Sequence, residues 1–311
     1  MSLKTKGYIL GIIAATTYGM SPLFALPLYA DGLDTNSVLF FRYLFAIFIL
    51  GIMTKTRGHS LSIKKNEVLP LIVMGLLVAL SSLTLFESYN YMAAGIASTI
   101  LFVYPIMVAL IMCIFFKEKL TANTVICIIL ALCGIALLYK NENGDTLSTT
   151  GIAYVMAASL SYAIYIVGAD REVLRKIPTV KLTFYVLAFG LTLFIGTSKG
   201  CTELTTPSHW YLWLNLIALA VFPTAVSFLC TTLAVQYIGS TPTAILGALE
   251  PVVAVIFGVT IFSEPFTQRI AGGILLILIA VTLVIAGSNI TTTLVRFRKL
   301  FPKISIRRNR K

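Results

Sequence analysis

Glu250 is an acid inside an apolar run, and it immediately precedes Pro251. It lies about eight residues into the segment 242–262, roughly 12 Å from its start at 1.5 Å per helical residue. That depth is near the middle of a ~30 Å hydrocarbon core. An ionised carboxylate there costs about 2.5–3.5 kcal/mol on insertion scales, so it must face water, meet a cation or hold a proton. The chemistry available is contact with a substrate amine or carriage of a coupling proton. A protonated or hydrogen-bonded helix lock is the structural alternative.

Two further charges lie within apolar runs: Arg42, about two turns from the outer end of its helix, and Glu87, about one turn from the outer end of the next. Their depths suit an ion pair, which lowers the cost of each, and this pairing is the favoured expectation. The alternative is that the planar fork of Arg42 holds a substrate carboxylate. Tyr18, Tyr104, Tyr162 and Tyr165 lie well inside apolar runs, where a hydroxyl needs a partner; cavity lining and core packing are equally open. Pro22, Pro105, Pro223 and Pro251 each lack an N–H and free the carbonyl four residues earlier, such as Tyr18 for Pro22 and Gly247 for Pro251. They read as hinges that expose polar backbone to a pathway, or as packing kinks.

Enzyme chemistry finds little to work with. The two histidines, His59 and His209, fall in loops on opposite sides, so no histidine-based metal site or triad forms within the membrane. No pair of intramembrane aspartates exists, and a serine nucleophile would lack a base. The five cysteines show no paired spacing that would suggest a metal site or a disulfide framework.

The elements that must position these groups are membrane helices. Hydrophobic residues make up 58% of the chain and charged residues 12%, about half the charge of a soluble domain. Ten apolar runs are long enough to span: 7–29, 36–54, 68–91, 95–116, 122–139, 150–168, 180–197, 211–236, 242–262 and 270–288. They are continuous rather than alternating, hence helices and not barrel strands. The first is too long for the core of a cleavable signal. Trp210, Tyr211 and Trp213, at the start of the eighth run, suit an interfacial aromatic belt. Ala93–Ala94–Gly95 and Gly272–Gly273 suit close helix packing.

The net charge of +12 is distributed by side. With ten alternating helices, 20 of the 24 basic residues fall on the side of the termini and three (Lys140, Lys199 and Arg269) on the other. The positive-inside bias puts both termini in the cytoplasm. It also accounts for the basic tail without nucleic acid, and leaves that tail to anchor topology and touch anionic lipid.

The sequence repeats itself. Tyr91, Pro105 and Glu118 recur as Tyr237, Pro251 and Glu264, each 146 residues later. A weaker match relates Gly7 and Tyr18 to Gly151 and Tyr162 at an offset of 144. Five helices per half is an odd number, so the second half enters from the opposite side and the repeats are inverted. Such pairs build one site at the midplane and support alternating access. Glu118 and Glu264 then end their helices on opposite faces, as gates or caps. The copies differ just before the shared proline, where one offers Tyr104 and the other Glu250; the substrate is expected there.

The segments ILFVYPIMVALIMCIFFKEKL and ALEPVVAVIFGVTIFSEPF, with FFRYLFAIFI around Arg42, resemble the drug/metabolite transporter superfamily, more closely its EamA-type branch of ten-helix exporters. The resemblance covers about 7 to 288. It implies export or exchange of small metabolites such as amino acids or drugs, through a cavity lined by both halves and without a cofactor. The expectation is therefore an all-α integral membrane protein of ten transmembrane helices in two inverted five-helix repeats, 1–145 and 146–290, with a basic cytoplasmic tail over 291–311. It is a multi-pass carrier of the bacterial inner membrane, a monomer or homodimer, with proton coupling an option at Glu250 and no metal. A membrane-embedded enzyme or a channel is the alternative.

Overall fold

A computed structural model of the chain describes residues 3–58, 60–116, 122–139, 147–169, 172–175, 177–238, 243, 246–247 and 249–283. Glu118 and the tail 291–311 lie outside the described residues, so the expectations placed on them stay with the sequence. Among the described residues the secondary structure is helical throughout.

The ten apolar runs become ten spans. The first is two helices, Leu3–Gly19 and Ser21–Ala30; the second and third are Thr35–Thr56 and Lys65–Ser88. The fourth is again divided, into Ala94–Leu101 and Tyr104–Phe116, and the fifth is Ala122–Tyr139. The sixth and seventh are Thr149–Ala169 and Thr179–Thr197, with the short helix Glu172–Arg175 between them. The eighth runs from Trp210 to Ile238 and contains a π-helical stretch, Val221–Val226. The ninth and tenth are Leu249–Phe262 and Gln268–Leu283. Seven spans have at least 18 residues and are apolar enough to cross a membrane; among the described residues the fifth, ninth and tenth carry shorter apolar helices, Val125–Leu138, Leu249–Phe262 and Gln268–Leu283. Large apolar side chains face outward, Phe48 at 72% exposure and Phe115 at 73%, as a lipid-facing surface requires.

Helices pack closely where glycine removes the side chain. A Cβ on Gly75 would lie 2.7 Å from the carbonyl oxygen of Val186, and one on Gly190 would lie 2.9 Å from that of Gly75, so the third and seventh spans meet backbone to backbone. The Gly272–Gly273 pair is used at one residue: a Cβ on Gly273 would meet the Gly134 carbonyl at 2.9 Å, whereas Gly272 has Leu137 at 3.9 Å. The three aromatics at the start of the eighth span differ in their surroundings. Trp213 packs edge-on against Phe41 at 5.1 Å, while Trp210 and Tyr211 remain exposed.

The repeat is visible in contacts that exchange halves. Gly7 packs against Tyr237 and Ile238, and Gly151 packs against Tyr91 and Met92. Gly7 and Gly151 are repeat partners, as are Tyr91 and Tyr237. The two contacts lie at opposite ends of the bundle, as a pseudo-two-fold axis between inverted repeats requires.

Candidate functional site

Each proline break occurs where a nearby donor takes over the freed carbonyl. The hydroxyl of Ser21 donates to the Tyr18 carbonyl at 2.7 Å, beside Pro22. Ser159, on the sixth span, donates to the Leu101 carbonyl at 3.1 Å, beside the break before Pro105. Thr224 donates to the Leu219 carbonyl at 3.2 Å, inside the π-helical turn that holds Pro223. The Glu250 amide donates to the Gly247 carbonyl at 2.9 Å, and Pro251 lies in the first turn of its helix, where its missing N–H costs nothing. These carbonyls are paired within the protein whether the prolines act as hinges or as packing kinks. In lipid an unpaired carbonyl is too costly, and hydroxyls one residue or one helix away remove the penalty. The breaks at Pro22, Pro105 and Pro223 remain as bends; Pro251 marks a helix start.

The broken helices surround a cavity of about 200 Å³. The first span contributes Tyr18, the fourth Tyr104, the sixth Tyr162, the eighth Ser227 and Thr231, and the ninth Glu250. Glycine permits the closest wall: a Cβ on Gly19 would lie 2.5 Å from the Glu250 carbonyl oxygen, so the first span crosses directly over the ninth. Tyr104 and Tyr162 meet edge to face with centroids 4.8 Å apart, a favourable aromatic geometry. A second, smaller cavity of about 20 Å³ adjoins it, shares Tyr18, Tyr162 and Phe228, and reaches Arg42. A third, also about 20 Å³, lies between Tyr18, Tyr89, Ser98 and Glu250.

The sequence-predicted residues divide accordingly. Tyr18, Tyr104, Tyr162 and Glu250 come together around the larger cavity, and Arg42 lines the smaller one. Tyr165 does not line these cavities; it stacks on Tyr162 at 5.7 Å and packs with the cluster around Leu71 and Met74. Glu87 is half-buried and lines none of the three. The expected Arg42–Glu87 ion pair is not formed: Lys199–Glu203 is the sole salt bridge among the described residues. Arg42 instead donates from Nε to Thr224 at 3.1 Å and lies over the Phe86 ring at 5.1 Å. Similar depth placed the two charges at one level, but the helix face of Arg42 turns it toward the eighth span.

Ser227 and Thr231 were not singled out by sequence. Their one signal is position, within a turn or two beyond Pro223. Ser227 donates to the Ala14 carbonyl at 3.0 Å and ties the first span to the eighth beside the cavity.

The end of the bundle remote from the N-terminus is tied by carboxylates. Glu264 accepts from the backbone amides of Ala94 at 2.7 Å and Gly95 at 3.3 Å, at the start of the fourth span. Asp31 accepts from the Ser208 amide at 2.9 Å and from its hydroxyl, and Asp34 accepts from the Thr205 hydroxyl at 2.8 Å. Ala94–Gly95 therefore does more than permit packing. The Ser208 amide, aided by its hydroxyl, holds the Asp31 carboxyl below its ordinary range.

The EamA-like transporter family matches this chain twice, over residues 5–140 and 149–286. The chain is 25% identical over 253 residues to the uncharacterized transporter YvbV of Bacillus subtilis, covering 78% of this chain and 80% of that one. It is 27% identical over 248 residues to an uncharacterized transporter of Archaeoglobus fulgidus, covering 79% and 85%. A solved crystal structure has the same fold, with a TM-score of 0.62 at 19% identity over 94% of this chain and 98% of that one. With the family matched across both halves and seven helices of membrane length among the described residues, this multi-pass membrane protein belongs to the EamA-like transporter family.

Proposed function

We propose that this transporter carries a small polar or amphipathic metabolite by alternating access, as an exporter or exchanger, with the substrate seated between Tyr104 and Glu250. The observation that carries the reading is the cavity of about 200 Å³ where Tyr18, Tyr104, Tyr162 and Glu250 meet, contributed by both halves of the chain. A cavity of that size suits a small metabolite. In this reading the units are 1–145 and 146–290, the tail 291–311 rests on anionic lipid, and Glu250 meets a substrate amine or carries a proton.

A conformational state belongs to the same reading. Residues such as Gly11, Ile166 and Thr231 extend the cavity toward the end of the bundle that holds the N-terminus. The opposite end is tied by Glu264, Asp31 and Asp34. With a cytoplasmic N-terminus, as the distribution of lysine and arginine argues, this is an inward-facing carrier with its outer gate shut. Glu264 is that gate's acid. Pro22 and Pro105 bend the helices that flank the cavity.

The test is counterflow in liposomes that contain the purified protein. Vesicles preloaded with one solute from a panel of amino acids, amines and cationic drugs should transiently accumulate its labelled form against a gradient. A channel gives only downhill leak, and an enzyme gives a changed product. Downhill leak alone, for every solute that moves, sinks the carrier reading.

A further inference from the structure

Arg42 is a cation 95% buried in the bundle, and among the described residues its side-chain hydrogen bond goes to an uncharged partner. Its exposure is 5%, its Nε bonds the Thr224 hydroxyl, and Phe86 covers one face. No carboxylate lies within 4.0 Å of it among the described residues. An isolated guanidinium at membrane depth is costly, and such groups occur where an opposite charge or a wet cavity meets them. Here the cavity is present. It holds about 20 Å³, enough for one water or one carboxylate oxygen, and borders the larger cavity through Tyr18, Tyr162 and Phe228.

The hydroxyls around it are unequally committed. Ser81 donates to the Ala158 carbonyl, Thr224 to the Leu219 carbonyl, and Tyr43 is engaged with Ser82 and Val78. The Tyr18 hydroxyl borders both cavities and lies within electrostatic reach of Arg42 and Glu250. Arg42, which can only donate, and Tyr18, which lines both cavities, are thus the polar groups that join the small cavity to the larger one.

We infer that Arg42 and Tyr18 form an anion subsite, and that the carried molecule bears a carboxylate that docks on the Arg42 guanidinium. This rests on the reading of the larger cavity as the transport site. The planar fork of arginine suits a carboxylate, through charge-assisted hydrogen bonds that are strong where water is scarce. Glu250 lies on the other side of Tyr18, so a solute with both a carboxylate and an amine meets an opposite charge at each end. Arg42 also reaches the π-helical turn of the eighth span through Thr224, so a bound anion is one hydrogen bond from a bend.

Matched solutes test the subsite. The panel is the common amino acids, their decarboxylated amines and their carboxamides, presented to vesicles of the wild-type protein in the counterflow assay and to the detergent-purified protein in thermal unfolding. Acids should be carried and should raise the unfolding temperature, and each should exceed its carboxamide by on the order of 10²-fold in half-saturating concentration, because a site built for a charged group rejects the analogue that lacks it. Arg42→Gln should erase that difference, and Arg42→Lys should retain part of it. Equal response to acids and carboxamides, or carriage of amines and cationic drugs with no acid carried, overturns the subsite and leaves the carrier reading intact. Unfolding temperatures read the subsite without flux: stabilisation by acids alone supports it even if no counterflow is seen, and no stabilisation by any acid overturns it.

Discussion

The Glu264 carboxylate lies 2.7 Å from the amide nitrogen of Ala94, 170 residues away in sequence, and joins the end of the ninth span to the start of the fourth. Two amide donors that the helix itself leaves unsatisfied meet one anion, a favourable arrangement at a helix N-terminus. Replacing it by glutamine removes the charge and leaves one acceptor oxygen for two donors. The expected cost is about 1–2 kcal/mol, the size of a lost helix cap, which shifts a two-state gate about 5–30-fold toward opening. In a background free of native cysteine, Ser98→Cys lies in the small cavity beside Glu250. Its labelling by an impermeant maleimide added from the Glu264 side should accelerate by that factor in Glu264→Gln. Unchanged labelling shows that the latch does not control access.

Glu250→Gln keeps the shape of the side chain and removes its charge and its titration. The variant should fold and insert normally while flux falls to the level of empty vesicles, or continues without dependence on the proton gradient. Transport with the normal pH dependence shows that Glu250 neither binds the substrate nor carries the proton, and assigns it to helix packing.

Asp31 and Ser208 connect two loops at the end of the bundle where Glu264 meets Ala94. Because the folded carboxyl titrates below its ordinary value, the contact contributes stability above the unfolded value, near pH 4, and loses it as pH falls through the folded one. Hydrogen exchange at the Ser208 amide should therefore stay slow down to about pH 4 and quicken below it, relative to the intrinsic rate. Asp31→Asn should retain a neutral acceptor and remove the pH dependence. If exchange follows the intrinsic rate at every pH, the contact is not populated in solution.

How much of this was legible in the sequence follows from what each residue needs. Glu250 could be found because an acid in an apolar run is expensive wherever it points. Tyr18 and Tyr162 could be found because a hydroxyl deep in an apolar run needs a partner. Arg42 was recognisable as an unusual charge, but its partner was not. Depth can be counted along a helix, whereas the face it presents depends on how the neighbours pack. The hydroxyls that complete the proline breaks were illegible for a similar reason. Ser159 acts on Leu101 from another span, and nothing local distinguishes it from a serine that only fills space.

Ser159 and Pro105 form a pair that can be separated by a double-mutant cycle. Ser159→Ala in the natural background leaves the Leu101 carbonyl without a donor and should cost about 1 kcal/mol, in line with hydrogen bonds between membrane helices. Pro105→Ala restores an N–H four residues on, so the same serine change in that background should cost markedly less. Thermal unfolding in one detergent, measured on all four proteins, gives the coupling. Equal costs in the two backgrounds refute a role for Ser159 in completing the break.

Gly75 and Gly196 offer a contrast within the packing of the seventh span. Alanine at 75 places a carbon 2.7 Å from the Val186 carbonyl oxygen, 2.8 Å from the Phe189 Cβ and 2.9 Å from the Gly190 nitrogen; two of the three are backbone, which no rotamer change moves. The third and seventh spans must separate, and overpacking of this kind costs about 1–3 kcal/mol. At 196 a Cβ meets nothing within 4 Å, and the residue lies in the last turn of Thr179–Thr197. Alanine there gains helix propensity, up to about 1 kcal/mol. Gly75→Ala should therefore lower the unfolding temperature and the yield of folded protein, while Gly196→Ala leaves both equal or higher. A tolerated alanine at 75 means that the two helices do not approach as closely in the membrane as their backbones do here.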